Sequence, residues 1–186
     1  MFTLVVFFIV LLWFKVVVAS RRKQEKMSSF YAEVAVTIQN TEIRCTGLID
    51  TGNQLTDPLS RMPVMVMEAS LWREYLPDSV GDTWSTERAD NLIMEWTEDE
   101  SFEWRDRLRL VPYRGINKGT QFMIALKPDE VTVIMDGQEV RTTRVLIGLD
   151  GGSLSSDNAY RAIIHPMLTE GPKDRVVASN DVVTGT

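Results

Sequence analysis

From Phe30 onward the chain is built of short runs in which apolar and polar residues alternate. That two-residue period is the mark of strands with one face in a core. In "FYAEVAVTIQN", Ala32, Val34, Val36 and Ile38 lie on one face, and Tyr31 and Glu33 belong to the other. A short "QNTE" turn leads into "IRCTGLID", which predicts a hairpin ending at Asp50. "MPVMVME", "RLRLVPYR" and "TQFMIALKP" read as further strands, the last two forming a hairpin whose tip is Arg114, Gly115, Ile116, Asn117, Lys118 and Gly119. "EVTVIMDGQEVRTTRVLIG" carries Asp136-Gly137, a two-residue hairpin turn that accounts for Asp136 without chemistry. "VLIGLDGG" closes the sheet. "EASLWREYLP" predicts a short helix stopped by Pro77. "SSDNAYRAIIHPML" predicts a late helix, capped by Ser155, Ser156 or Asp157 and limited by Pro166. The element order predicts a mainly-β architecture with barrel-like or sandwich closure.

Two stretches break the pattern. "MFTLVVFFIVLLWFKVVVA", residues 1–19, is apolar except for Thr3 and Lys15. At ~1.5 Å per residue, such a helix just crosses a ~30 Å hydrocarbon layer. Arg21, Arg22, Lys23 and Lys26 follow in a polar tether, residues 20–29. Positive charge after the span predicts that the remainder faces the cytoplasm at the cell membrane, and it is the wrong order for a signal peptide. Residues 78–106 are acidic and bear Trp84, Trp96 and Trp104. They read either as a docking surface or as an insertion with those indoles packed inward. The expected layout is thus a membrane helix, a tether, a domain over 30–168 with 78–106 as an insertion, and a polar tail over 169–186.

Composition narrows the function. The 186 residues are 44% hydrophobic, enough to bury a core, and carry a net charge of −6, which argues against a nucleic-acid partner. A single cysteine, Cys45, excludes an intrachain disulfide and multi-cysteine metal sites. Cys45 with the lone histidine, His165, is formally a nucleophile pair. Neither sits in a nucleophile motif, and the plainer reading is a strand residue and a helix-end residue.

Asp50-Thr51-Gly52 is the one turn that asks for chemistry. An apolar strand delivers an acid to its end, and glycine lets backbone N–H groups approach the carboxylate. One acid cannot serve as base and acid on the same water, whereas two sharing a proton can. With a single Asp-Thr-Gly in the chain, the partner would come from a second copy across a two-fold axis. Asp57, before Pro58, reads as a loop-ordering acid, and Asp150, in "LDGG", as a solvated turn acid that could approach Asp50.

"LIDTG", a glycine-tipped hairpin and "VLIG" together resemble the retroviral-type aspartic proteases. "GLIDTGNQLTDPLSRMPVMV", with "VPYRGINKGTQFMIALKPDEV" and "RVLIG" following in order, is more similar still to the sporulation sigma-E factor processing peptidases of endospore-forming bacteria. The resemblance covers most of residues 30–166. It implies a retropepsin-like closed β barrel active as a homodimer, needing no cofactor or metal. Asp50 would be catalytic, Thr51, Gly52 and Asn53 would support its loop, Leu146, Ile147 and Gly148 would pack beneath it, and residues 114–119 would form the flap tip. It also implies pro-sigma-E as substrate and a secreted forespore signalling protein as activator. The family places several membrane spans before the protease domain, and this chain has room for one. Asn53 stands where retroviral enzymes prefer a small residue, a polar group able to alter the dyad's proton affinity. The rival readings are a membrane-tethered β domain that dimerises and binds a peptide without cutting it, and a phosphate-handling site, which lacks a P-loop and a second acid motif.

Overall fold

The computed structural model describes residues 30–77, 89–114 and 120–170. The predicted membrane helix and tether, Trp84, the tail from 171 and the hairpin tip 115–119 lie outside the described residues. Among the described residues no helix is long and apolar enough to cross a membrane.

The described residues form one mixed sheet of nine strands: β1 (Tyr31–Ile38), β2 (Thr41–Ile49), β3 (Val64–Glu68), β4 (Leu108–Arg114), β5 (Thr120–Leu126), β6 (Glu130–Met135), β7 (Gln138–Thr142), β8 (Leu146–Asp150) and β9 (Ala162–Ile164). Their order is β4-β5-β8-β3-β9-β2-β1-β6-β7. The predicted hairpins are present. β1 buries Ala32, Val34, Val36 and Ile38, and pairs with β2 across a turn in which Gln39 takes a positive φ. β6 and β7 are joined through Asp136 and Gly137, both with positive φ, as a tight turn of this kind requires. β4 and β5 pair from Leu108–Leu126 out to Arg114–Thr120.

Three expectations are corrected. The sheet is open, with β4 and β7 as its edges, where closure into a barrel was expected. The predicted helix over 155–168 does not form. Its cap signals are satisfied inside a turn, where the Ala159 N–H donates to Asp157 Oδ1 and to Ser155 Oγ, each at 3.2 Å. Ala162–Ile164 then become β9, parallel to β2 and antiparallel to β3, and a 3-10 turn follows at Pro166–Leu168. Two unfilled strand edges flank that slot, and two ladders of backbone hydrogen bonds outweigh a short helix's propensity. The segment after β3 is likewise a single 3-10 turn, Ala69–Trp72.

Among the described residues of the 78–106 stretch, which are 89–106, one α-helix forms, α1 (Ala89–Glu98). Trp96 and Trp104 are buried, so the inward-packed reading holds for both. Trp104 meets Trp72 edge-on at 5.9 Å and stacks on Tyr75 at 5.4 Å, and Trp96 meets Phe102 at 5.9 Å. Such aromatic pairs add to the area they bury. They belong to the same core as Val36, Ile38, Ile124 and Ile147.

One buried carboxylate ties the centre of the sheet to the loop after β8. Glu68, at the end of β3, accepts from Arg161 Nε at 2.8 Å, the Leu154 N–H at 3.0 Å, and the hydroxyls of Ser70 and Ser153, each at 3.3 Å. Burial pushes its carboxyl up, but these donors, led by Arg161, outweigh burial and hold it below its ordinary 4.5. A lowered folded value means that the stabilisation is complete above the unfolded value and is lost as pH falls through the folded one. Glu68→Gln should therefore cost about 1–3 kcal/mol in urea unfolding at pH 7. The gap from wild type should narrow as pH drops below ~4; a gap independent of pH would show that the charge is not what stabilises.

Candidate functional site

Asp50 follows the last residue of β2, and its N–H donates to the Ile164 carbonyl of β9 at 3.2 Å. The chain then folds back on the carboxylate. The Gly52 N–H donates to Asp50 Oδ1 at 2.9 Å, and the Asn53 N–H to the Asp50 carbonyl at 3.0 Å. A Cβ on residue 52 would lie 3.2 Å from Asp50 Oδ1, so glycine is what lets the backbone come this close. Asp50 is partly buried, and Thr51 and Gly52 are exposed. The result is an acid held by backbone, with one side open to solvent.

Asn53 points into the protein. Its Nδ2 donates to the Val64 carbonyl at 3.2 Å, and its Oδ1 accepts from the Leu55 N–H at 3.0 Å. Both carboxamide atoms thus hydrogen-bond backbone groups rather than the Asp50 carboxylate. Leu146, Ile147 and Gly148 are all buried in β8, and Leu146 pairs with Val64 in the neighbouring β3. Gly148 accepts close packing: a Cβ there would lie 2.4 Å from Met123 Sδ and 3.1 Å from Val64 Cγ1. Val64, Leu146, Val111 and Ala125 form a small second core, against which Leu55 and Met62 pack. That core links the Asp50 loop, β8 and the base of the β4–β5 hairpin. Of the predicted flap tip, only Arg114 is described, exposed at the end of β4.

Registers decide whether Asp150 can reach Asp50. Leu48 pairs with Ile163, Ile163 with Val66, and Val66 with Gly148, so these four form one row across the sheet. Asp50 lies two residues beyond Leu48 and Asp150 two beyond Gly148, but β2 and β8 run in opposite directions. The two acids therefore sit about four residues apart along the strand axis, roughly 13 Å. Asp150 closes its own turn, accepting from the Gly152 N–H at 2.8 Å. Asp57 is buried and committed to its loop, taking the Ser60 N–H at 2.9 Å, the Ser60 hydroxyl and the Leu59 N–H. Burial raises its carboxyl, and the Ser60 and Leu59 donors more than reverse that. Neither acid joins Asp50.

The formal Cys45–His165 pair is not assembled either. Ile49 pairs with Ile164, which puts His165 level with Asp50, five residues from Cys45 along the strand axis, or about 16 Å. His165 is buried and caps the final 3-10 turn, its Nδ1 accepting from the Met167 N–H at 3.2 Å. Burial lowers its proton affinity and raises the Cys45 thiol to about 11. Among the described residues, no three His, Cys, Asp or Glu side chains are grouped to hold a metal ion.

This loop and sheet can be set beside known proteins. The chain matches the model of the Peptidase_U4 family, sporulation factor SpoIIGA, over residues 1–168. It belongs to the SpoIIGA family. It is 35% identical over 137 residues to a sporulation sigma-E factor-processing peptidase of Priestia megaterium, covering 73% of this chain and 43% of that protein. Against a putative sporulation sigma factor-processing peptidase of Bacillus thuringiensis subsp. kurstaki the identity is 38%, covering 73% of this chain and 82% of the relative. Against the sporulation sigma-E factor-processing peptidase of Bacillus subtilis it is 33%, covering 86% and 52%. The chain thus spans about half the length of the first and third of these SpoIIGA-family relatives. No solved structure matches it.

A raised thiol makes a poor nucleophile, because the thiolate is the reactive form. Alkylation of Cys45 by iodoacetamide at pH 8 should run at least about tenfold slower than that of a free cysteine peptide. A rate equal to the peptide's would reopen the thiol as a candidate.

Proposed function

We propose that this chain is an aspartic endopeptidase of the retropepsin type. In this reading it acts as a homodimer with one Asp50 from each copy and removes the pro-segment of pro-sigma-E during sporulation. The observation that carries the reading is Asp50 itself, an acid clasped by the Gly52 N–H in an open-sided turn while Asp57 and Asp150 are held elsewhere. A carboxylate presented in this way, with no dyad partner from either acid of its own chain, calls for a second copy. Family membership and the names of the relatives supply the substrate.

The chemistry follows from two carboxyls sharing one proton. The ionised Asp50 takes a proton from a water lying between the two. The water oxygen bonds to the peptide carbonyl carbon, and the protonated Asp50 gives its proton to the carbonyl oxygen. The tetrahedral intermediate collapses by breaking the C–N bond: the amine leaves with the proton first taken from the water, and the second carboxylate takes a proton back from one hydroxyl of the intermediate, which restores the shared proton. Thr51 bonds across the two-fold axis and steadies both loops. The tip over residues 114–119 closes on the substrate and excludes bulk water. The apolar segment 1–19 anchors the enzyme, and the tether's positive charge keeps the catalytic part on the cytoplasmic side of the cell membrane. A secreted forespore signalling protein acts as activator through that membrane part.

The test is co-expression of the full chain with pro-sigma-E, followed by the size of the substrate on a gel. Wild type should cleave, and Asp50→Asn should reduce the rate at least about 100-fold with the fold intact. Asp136→Asn, in a turn that accounts for that acid, should cleave at the wild-type rate. Adding Asp50→Asn to wild type should depress activity by forming mixed dimers. Cleavage by Asp50→Asn at the wild-type rate would sink the aspartic mechanism. Absence of cleavage by the wild type, alongside retained peptide binding, would favour the non-catalytic module instead.

A further inference from the structure

Asn53 is the polar group nearest in sequence to the Asp50-Thr51-Gly52 turn, and its side chain makes two hydrogen bonds, both to backbone. Its orientation is fixed by its partners. The Val64 carbonyl can only accept and the Leu55 N–H can only donate, so Nδ2 must face the first and Oδ1 the second. Leu55 and Val64 are also joined directly, by the Val64 N–H donating to the Leu55 carbonyl at 2.9 Å. Asn53 thereby joins the Asp50 loop to the first residue of β3.

That join leads on to the hairpin. Val64 pairs with Leu146 in β8, and the Leu146 N–H donates to the Pro63 carbonyl at 3.0 Å. Val64, Leu146 and Leu55 share the small core with Val111 of β4 and Ala125 of β5. The β4–β5 hairpin is rooted in the core to which Asn53 fastens the acid. Close-packed groups of this kind transmit small displacements, because they have little free volume to absorb them.

We infer that Asn53 is a positioning residue that sets the seat of Asp50 relative to the β4–β5 hairpin. It acts on the rate of the chemical step, and neither substrate binding nor the proton affinity of the dyad depends on it. This rests on the aspartic-peptidase reading above. It also replaces the sequence-based expectation that a polar residue at this position tunes the dyad directly.

The full chain in membranes, acting on pro-sigma-E, separates these roles. Asn53→Ala should lower kcat by between ~10-fold and ~100-fold, the scale of a small misplacement, with KM within about twofold. Both limbs of the pH–rate profile should stay where they are in wild type. Asn53→Asp keeps an acceptor for Leu55 but turns an ionised oxygen toward the Val64 carbonyl. Its activity should recover as pH falls, because the protonated acid can again donate to that carbonyl. A shift of the wild-type limbs in Asn53→Ala would mean direct tuning of the dyad and overturn the inference, as would an unchanged kcat. Amide hydrogen exchange supplies a readout free of catalysis. Asn53→Ala should speed exchange at Leu55 and also across 108–114 and 120–126, whereas acceleration confined to Leu55 would refute the coupling. An active Asp50→Asn would instead sink the underlying reading, while a dead Asp50→Asn beside an unimpaired Asn53→Ala would sink this inference alone.

Discussion

β9 holds two ladders at once, to β2 through Ala162, Ile163 and Ile164 and to β3 through Ala162 and Ile163, and the continuity of the sheet depends on it. On one side lie the paired hairpins β2-β1 and β6-β7, and on the other the group β3-β8-β5-β4. Without β9, β2 and β3 would each present an unpaired edge in the middle of the core, an arrangement that leaves buried backbone groups without partners. The same strand seats Asp50, whose N–H donates to the Ile164 carbonyl. One three-residue strand therefore joins the halves and fixes where β2 must end. Glu68 and Arg161 guard the other end of the slot, with the Glu68 N–H donating to the Arg161 carbonyl at 3.1 Å beneath their ion pair.

Much of this was legible in the sequence, for a local reason. Hairpins are written in adjacent residues: alternation in β1 and β2, the Asp136-Gly137 turn, and the apolar run of β8 all announce themselves. The Asp50 turn was visible for the same reason, since an apolar strand ending in Asp-Thr-Gly has few structural uses. α1 has a local signature too. Ala89, Leu92, Ile93 and Trp96 recur at i, i+3, i+4 and i+7, and these are the positions that turn inward. The surrounding acidity hid that stripe.

β9 was not legible, because nothing local demands it. Ser155 and Asp157 form the hydrogen bonds of a cap, both accepting from the Ala159 N–H, yet the helix does not propagate. Helix nucleation is costly and short helices depend on packing. The slot between β2 and β3 offered Ala162–Ile164 two ladders instead, through contacts more than a hundred residues away in sequence on the β2 side. Sheet closure failed as an expectation for a similar reason: which edges meet is a property of the whole, and here β4 and β7 do not pair.

The register also settles how the acids are distributed. Antiparallel placement of β2 and β8 sends the two strand-end acids, Asp50 and Asp150, to opposite ends of the central strands. Each closes a similar turn, with the glycine two residues on donating to its Oδ1. Only one of them stands beside Asn53, the small core and the root of the β4–β5 hairpin. Two turns of like geometry thus differ in surroundings, and the difference lies in what the neighbouring strands bring. At the Asp150 end the nearest strand contributes Glu68, already saturated by Arg161 and the loop amide. At the Asp50 end the backbone clasps one oxygen and leaves Thr51 and Gly52 exposed, so the two turns differ in what surrounds them and not in how they hold the acid.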